Sequence, residues 1–123
     1  MAVRITLTDD HPLATQGIAA MLKKRKDFKI VDIFHNAADL FRGLSSCQPD
    51  VLLLDVMLPD MNGREVAPEV KQTYPGVKII ALTSFDAPTI VAAMMRRGCS
   101  GFLLKDTDAE TLIEAIDKVA AGE

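Results

Sequence analysis

The sequence predicts an α/β fold, a five-stranded parallel, doubly wound sheet with five helices, and three observations carry that prediction. Apolar periodicity switches repeatedly between strand-like and helix-like along 123 residues, with no long linker, low-complexity segment or internal repeat to divide them. The run Val51-Leu52-Leu53-Leu54 is apolar at every position, as a strand covered on both faces must be. A chain of this length is also one ordinary domain, able to bury roughly two-thirds of the surface its unfolded form exposes, so no disulfide or structural metal is required. For five βα units the usual strand order is 2-1-3-4-5.

The elements follow in order. A first strand is expected near 3–8 and a helix near 12–25, opening at Pro12 and burying Leu13, Gly17, Met21 and Leu22. Its terminal run Lys23-Lys24-Arg25-Lys26 is read as solvated charge that complements the carboxyl end of the helix dipole, in preference to a docking patch. The second strand, near 28–34, alternates Phe28 and Ile30 with Lys29 and Asp32, the pattern of a sheet edge. A helix near 36–45 carries Ala37, Leu40, Phe41 and Leu44. The third strand, near 50–55, precedes a helix near 64–74. A fourth strand near 77–82 leads to a helix near 87–97, stopped by Arg96-Arg97-Gly98, in which Met94 and Met95 are read as packing residues. The fifth strand, near 101–104, precedes a helix near 107–121 that opens on the capping box Thr107-x-x-Glu110 and buries Leu112, Ile113, Ile116, Val119 and Ala120.

Composition excludes several classes. No stretch approaches the roughly 20 apolar residues of a bilayer-spanning helix, and Arg4 with Asp9-Asp10 interrupts any signal-like segment at the start, so the expected location is cytoplasmic. Cys47 and Cys99 are too few and too far apart for a metal site or a redox pair, and are read as structural. A formal net charge of −3 argues against a phosphate-binding face for nucleic acid, so any DNA contact must come from elsewhere.

The chemistry concentrates at strand ends. Asp55 closes the third strand, where a charged group can first reach water and a ligand, and Asp9-Asp10 follow the first strand. With strands 1 and 3 adjacent at the point where the winding reverses, these carboxylates face one crevice and repel unless a cation or proton intervenes. Thr83 stands directly after the fourth strand and Lys105 directly after the fifth. Taken singly, Asp9 or Asp10 could cap the first helix, Thr83 could end a strand and Lys105 could be ordinary surface. Their joint placement at four strand ends favours a site. Carboxylates suit a hard cation such as Mg²⁺, which keeps waters and a phosphate oxygen as further ligands; lysine and threonine suit the phosphate itself.

Asp-Asp-His-Pro-Leu at 9–13, Leu-Leu-Leu-Asp-Val-Met-Leu-Pro-Asp-Met-Asn-Gly at 52–63, Leu-Thr-Ser at 82–84 and Gly-Phe-Leu-Leu-Lys at 101–105 resemble, in order and spacing, the landmarks of bacterial two-component response-regulator receiver domains. The match covers essentially the whole chain. It is similar above all to the subfamily with C-terminal helix-turn-helix output domains, and the resemblance implies a flavodoxin-like fold. It also implies that Asp55 is the phosphoacceptor, served by a sensor histidine kinase or a small phosphodonor. Asp10, Asp55 and the Met57 carbonyl would ligate Mg²⁺, with Asp9 acting largely through water, while Lys105 and Thr83 hold phosphoryl oxygens. Thr83 and Phe102 match the positions of the family's switch, in which the aromatic ring turns inward when the hydroxyl moves toward the phosphoryl group. The protein would act only on itself, with no turnover of a separate substrate. It would control transcription through a DNA-binding domain absent from this chain, and a homodimer formed on phosphorylation fits the same surface.

Two departures from the family pattern matter. Asp106 replaces the proline that many members carry after the lysine, where a cis bond would cost about 3 kcal/mol. Met57 and Phe85 are apolar at positions where fast-dephosphorylating relatives place groups that orient water, which predicts a long-lived phospho-form. Two rival readings fit these residues less well. A haloacid-dehalogenase-type phosphatase needs a second aspartate two residues after its nucleophile, where this chain has Met57. A receiver-like module that is never phosphorylated, stand-alone or otherwise, would not need the full set of acids, Thr83 and Lys105.

Overall fold

The computed structural model describes residues 2–84 and 88–122. The chain alternates strand and helix throughout: β1 (Val3–Thr8), α1 (Pro12–Leu22), β2 (Phe28–Phe34), α2 (Ala37–Cys47), β3 (Val51–Asp55), α3 (Gly63–Thr73), β4 (Lys78–Thr83), α4 (Pro88–Arg96), β5 (Gly101–Leu104) and α5 (Ala109–Ala120). The strands form one sheet in the order β2-β1-β3-β4-β5, all neighbours parallel, as the flavodoxin-like winding requires. The edge reading of the second strand holds. The Lys105–Asp106 peptide is trans, since no described bond is cis.

Every residue of β3 is buried, and its alternation divides the core. Leu52 and Leu54 face Leu40, Leu44, Val66, Val70 and Met94 of α2, α3 and α4. Val51 and Leu53 face Ile18, Leu22, Leu112, Ile116 and Val119 of α1 and α5. Register places Asp55 beside Leu82 and Thr83 beside Leu104, so the carboxyl ends of β3, β4 and β5 finish together.

Two helices depart from expectation. In α1 the buried face is Thr15, Ile18 and Leu22; Met21 is half-buried, Gly17 is exposed and Leu13 is 84% exposed. Leu13 lies five residues before Ile18, about 140° round the helix, so the two cannot share a face. Thr15 can be buried because its hydroxyl donates to the Pro12 carbonyl at 2.9 Å. The helix also ends at Leu22, leaving the basic run beyond its last turn. Arg25 instead pairs with Asp27 and Asp117 at 2.7 and 2.9 Å and lies over the Phe28 ring. In α5 the cap is Asp108, whose carboxylate accepts the Thr111 N–H at 2.8 Å, and not Thr107; Ala120 is exposed. Aspartate caps at least as well as threonine, so a start one residue later loses nothing.

The remaining helices follow the sequence closely. Ala37, Leu40 and Leu44 of α2 are buried, and Gly98 stops the segment after α4 with φ +106°. Met94 is fully buried and Met95 exposed. Cys47 and Cys99 are buried and free, and burial pushes the Cys99 thiol up to about 12. Ala87, the expected start of the fourth helix, lies outside the described residues. Pro68 sits inside α3 and cannot supply the N–H that the Arg64 carbonyl would otherwise receive; the Arg97 guanidinium donates to that carbonyl at 3.1 Å.

Gly63 opens α3 where it touches the strand end. Its N–H donates to the Val56 carbonyl at 2.7 Å, and a Cβ there would stand 2.8 Å from Val56 Cα, backbone that cannot rotate away. Gly63→Ala should therefore lower the urea midpoint with an unchanged m-value, for a loss of about 2 kcal/mol.

Candidate functional site

The carboxyl edge of the sheet brings the predicted acids together. Asp9 follows β1 and is wholly buried, held there by its N–H to the Phe34 carbonyl at 3.0 Å. Asp55, the last residue of β3, is 1% exposed. Lys105 follows β5, and its own N–H donates to the Thr83 carbonyl at 2.8 Å, which fixes the base of the side chain. The ammonium then reaches back across the sheet, 2.8 Å from Asp55 Oδ2 and 2.9 Å from Asp9 Oδ2. Asp55 Oδ1 accepts the Met57 N–H at 3.0 Å. Asp10 is partly exposed beside them.

Electrostatics separate the two buried acids. Burial raises the Asp55 carboxyl above its ordinary range, and the neighbouring Asp9 charge adds to this; the hydrogen bonds from Lys105 and Met57 offset only part. For Asp9 burial acts in the same direction but is outweighed by Lys105 and the His11 N–H, so its carboxyl is held low. Burial alone would lower Lys105, yet the two carboxylates hold it protonated above the ordinary lysine value.

A divalent cation fits these residues. Asp9, Asp10, His11 and Asp55 offer ligand atoms that all lie within 4.8 Å of one another. Asp9 Oδ2 and Asp10 Oδ1 are cut off from solvent and accept no hydrogen bond, although Lys105 Nζ and His11 Nδ1 stand 2.9 and 3.1 Å away. Three carboxylates against one ammonium leave an excess of two negative charges. A hard, doubly charged ion answers both the charge and the spare oxygens.

The other predicted residues take flanking places. Thr83 is buried at the end of β4, one residue beyond the partner of Asp55. Met57 contributes its amide to Asp55 while its side chain is 55% exposed, and its backbone bridges to Asn62 to close the β3–α3 loop. Phe102 is half-buried and packs on the core face shared by α2, α3 and α4. Phe85 lies outside the described residues.

Sequence reasoning gave no role to three residues that shape the pocket. His11 places Nδ1 3.0 Å from Asp9 Oδ1, inside a motif already noted for its acids. His35 Nδ1 lies 3.0 Å from the Asp9 carbonyl and supports the turn after β1. Asp60 accepts the Ala37 and Ala38 N–H groups at 2.8 and 2.9 Å, capping α2 from the β3–α3 loop. No local signal betrays a cap supplied from a distant loop, whereas Asp-Asp-His was there to be read.

Comparison with known proteins agrees with this geometry. A model of the response regulator receiver domain matches residues 5–117. The chain belongs to the response-regulator receiver family. Among curated relatives it is 34% identical over 120 residues to the transcriptional regulatory protein DegU of Brevibacillus brevis, covering 98% of this chain and 51% of that protein. It is 31% identical over 120 residues to the transcriptional regulatory protein LnrK of Bacillus subtilis (strain 168), covering 98% of this chain and 54% of that protein. The chain thus spans about half the length of the curated relatives it matches. Among solved structures, the isolated receiver domain of RcsB from Salmonella enterica serovar Typhimurium, in the presence of the phosphomimetic BeF₃⁻, superposes with a TM-score of 0.93 at 25% identity, covering 100% of this chain and 91% of that one. No described helix is long and apolar enough to cross a membrane.

The raised Asp55 carboxyl has a measurable sign. An acid whose folded pKa lies above its unfolded one costs stability as pH rises from the unfolded value through the folded value. Asp55→Asn removes that cost, so the metal-free variant should melt higher than the parent at neutral pH, with the gap closing toward pH 4 in thermal scans. A gap that is constant with pH would contradict the assignment. Asp60→Ala removes the acceptors of the Ala37 and Ala38 N–H groups, leaving the Asn36 cap in place, and should lower the melting temperature; equal urea midpoints for variant and parent would count against this role.

Proposed function

We propose that this receiver domain accepts a phosphoryl group on Asp55 in a reaction that needs Mg²⁺ held by Asp9, Asp10, Asp55 and the Met57 carbonyl. The observation that carries the reading is the bridge from Lys105 to both buried acids at 2.8 and 2.9 Å, beside a cluster of carboxylates with spare oxygens. An Asp55 oxygen attacks phosphorus, and the bond to the donor breaks with its electron pair leaving on the donor's nitrogen or oxygen. Lys105, released from one acid, follows the charge that moves onto the phosphoryl oxygens, and the Thr83 hydroxyl donates to another of them. The Met57 N–H keeps the carboxylate oriented for attack. When bound, the cation supplies neutralisation of the phosphoryl charge and a template for its oxygens.

The family's donors are sensor histidine kinases, and a cognate sensor kinase is the partner this reading requires, with this domain in the cytoplasm. The names of the relatives support an output in transcription; a DNA-binding domain outside these residues and a homodimer formed on phosphorylation complete the reading. Thr83 and Phe102 are the residues assigned to the switch. The domain turns over no separate substrate.

Intact-mass measurement after incubation with acetyl phosphate should give one phosphoryl adduct that requires Mg²⁺ and is absent in Asp55→Asn. A folded parent with no adduct, and no beryllofluoride binding, would mean a module that signals by binding alone. Lys105→Ala should lower the phosphorylation rate by at least about tenfold, since a positioned charge is lost from the transition state. Met57→Asn with Phe85→Glu should shorten the lifetime of the adduct. An unchanged lifetime would remove the idea that apolar side chains exclude the attacking water.

A further inference from the structure

His11 is an anomaly at its position. It occupies the N-cap of α1, where serine, threonine, aspartate or asparagine would bond the exposed N–H groups of the first turn, and its side chain makes no such bond. The ring turns the other way. Nδ1 lies 3.0 Å from Asp9 Oδ1, 3.1 Å from Asp10 Oδ1 and 3.1 Å from Lys105 Nζ. The residue's own N–H donates to Asp9 Oδ1 at 3.0 Å, which pins the backbone over the pocket. A local rule of helix formation is broken, and what the break achieves is an imidazole nitrogen among the carboxylates of a cation pocket.

That nitrogen changes which ions the pocket prefers. Mg²⁺ takes oxygen ligands and gains little from imidazole, whereas Mn²⁺, Co²⁺, Ni²⁺ and Zn²⁺ accept it readily, with affinity climbing along that series as far as Ni²⁺. The donor set of Asp9, Asp10, His11 and Asp55, all within 4.8 Å, mixes hard oxygens with one nitrogen. Of the buried oxygens that accept no hydrogen bond, Asp10 Oδ1 lies 3.1 Å from the ring nitrogen, while Asp9 Oδ2 faces Lys105 at 2.9 Å and the ring meets Asp9 through Oδ1. We propose that His11 is a metal-specificity residue, donating through Nδ1 to the cation of this pocket and so making it selective for first-row transition ions over Mg²⁺. The inference rests on the reading of the Asp55 pocket as a divalent-cation site, and adds the ligand that sets its preference. Ligation through Nδ1 would exchange the ring's contacts with Asp9 and Asp10 for the shared ion.

The test compares the parent chain with His11→Ser, which places a favoured cap at the start of α1 and so leaves the helix intact. Calorimetric titration with the chlorides of Mg²⁺, Mn²⁺ and Ni²⁺ should show the preference for Ni²⁺ over Mg²⁺ falling by about tenfold or more in the variant, with Mg²⁺ affinity nearly unchanged. Electron spin-echo spectra of bound Mn²⁺ should carry ¹⁴N modulation in the parent and lose it in His11→Ser. Absence of ¹⁴N modulation in the parent, or equal loss of all three ions in the variant, would overturn the role of His11. Asp10→Asn separates this from the larger reading. If Mg²⁺ binding depends on Asp10 while the nitrogen signal is missing, the pocket stands and His11 is not a ligand. If the parent binds no divalent ion, or Asp10→Asn binds as well as the parent, the pocket itself is wrong and the inference falls with it. Survival of the nitrogen signal in His11→Ser would place the ion at His35, which also overturns the proposal.

Discussion

Three carboxylates at one edge of a small sheet face a single ammonium, and the arrangement of the whole carboxyl edge follows from keeping them together. Without Lys105, Asp9 and Asp55 would repel across a gap from which water is largely excluded. The pairing needs β1 and β3 side by side, which fixes the winding, and it needs β5 to end level with β3, which fixes the register through β4. The backbone bond from Lys105 to Thr83 sets the ammonium within reach of both acids. A buried pair of this kind adds little to net stability, because desolvation consumes most of the attraction. What it leaves at this edge is an excess of negative charge beside spare carboxylate oxygens.

Much of this was legible because two-sided burial leaves a plain mark. A strand such as Val51–Asp55 must be apolar throughout until it emerges, and the first charge at its end is then conspicuous. The same logic located Asp9, Thr83 and Lys105. The face of α1 was read correctly at Leu22 but not at Leu13, because several apolar or small residues lie at helical spacing on both sides and only contact with β1 and α5 selects Ile18 over Leu13. The α5 cap was misplaced by one residue since Thr107 and Asp108 are both good caps and nothing local chooses between them. Asp60 was invisible for a different reason: its partners are backbone amides of another helix, and backbone carries no residue code.

The loop after Asp55 is tied down at three points. Asp60 anchors it to α2, the bridge between Met57 and Asn62 closes it, and Gly63 presses α3 against Val56. A carboxylate whose orientation depends on the Met57 amide is therefore held by three tertiary contacts rather than by local propensity. Such support is what allows a buried carboxylate to keep its geometry while its charge state changes.

The proline in α3 has a wider meaning. A helix ordinarily keeps its ladder of hydrogen bonds to itself, but Pro68 opens one rung and Arg97, just past α4, fills it. Two neighbouring helices thereby share a piece of main-chain bonding across their surface. Guanidinium stays charged at any physiological pH and a carbonyl cannot titrate, so this joint is indifferent to acidity. It yields to displacement alone: sliding the end of α4 away from α3 strips a rung from a helix that α4 merely borders. The fold has in this way converted a local defect into a mechanical strut between two of its outer elements.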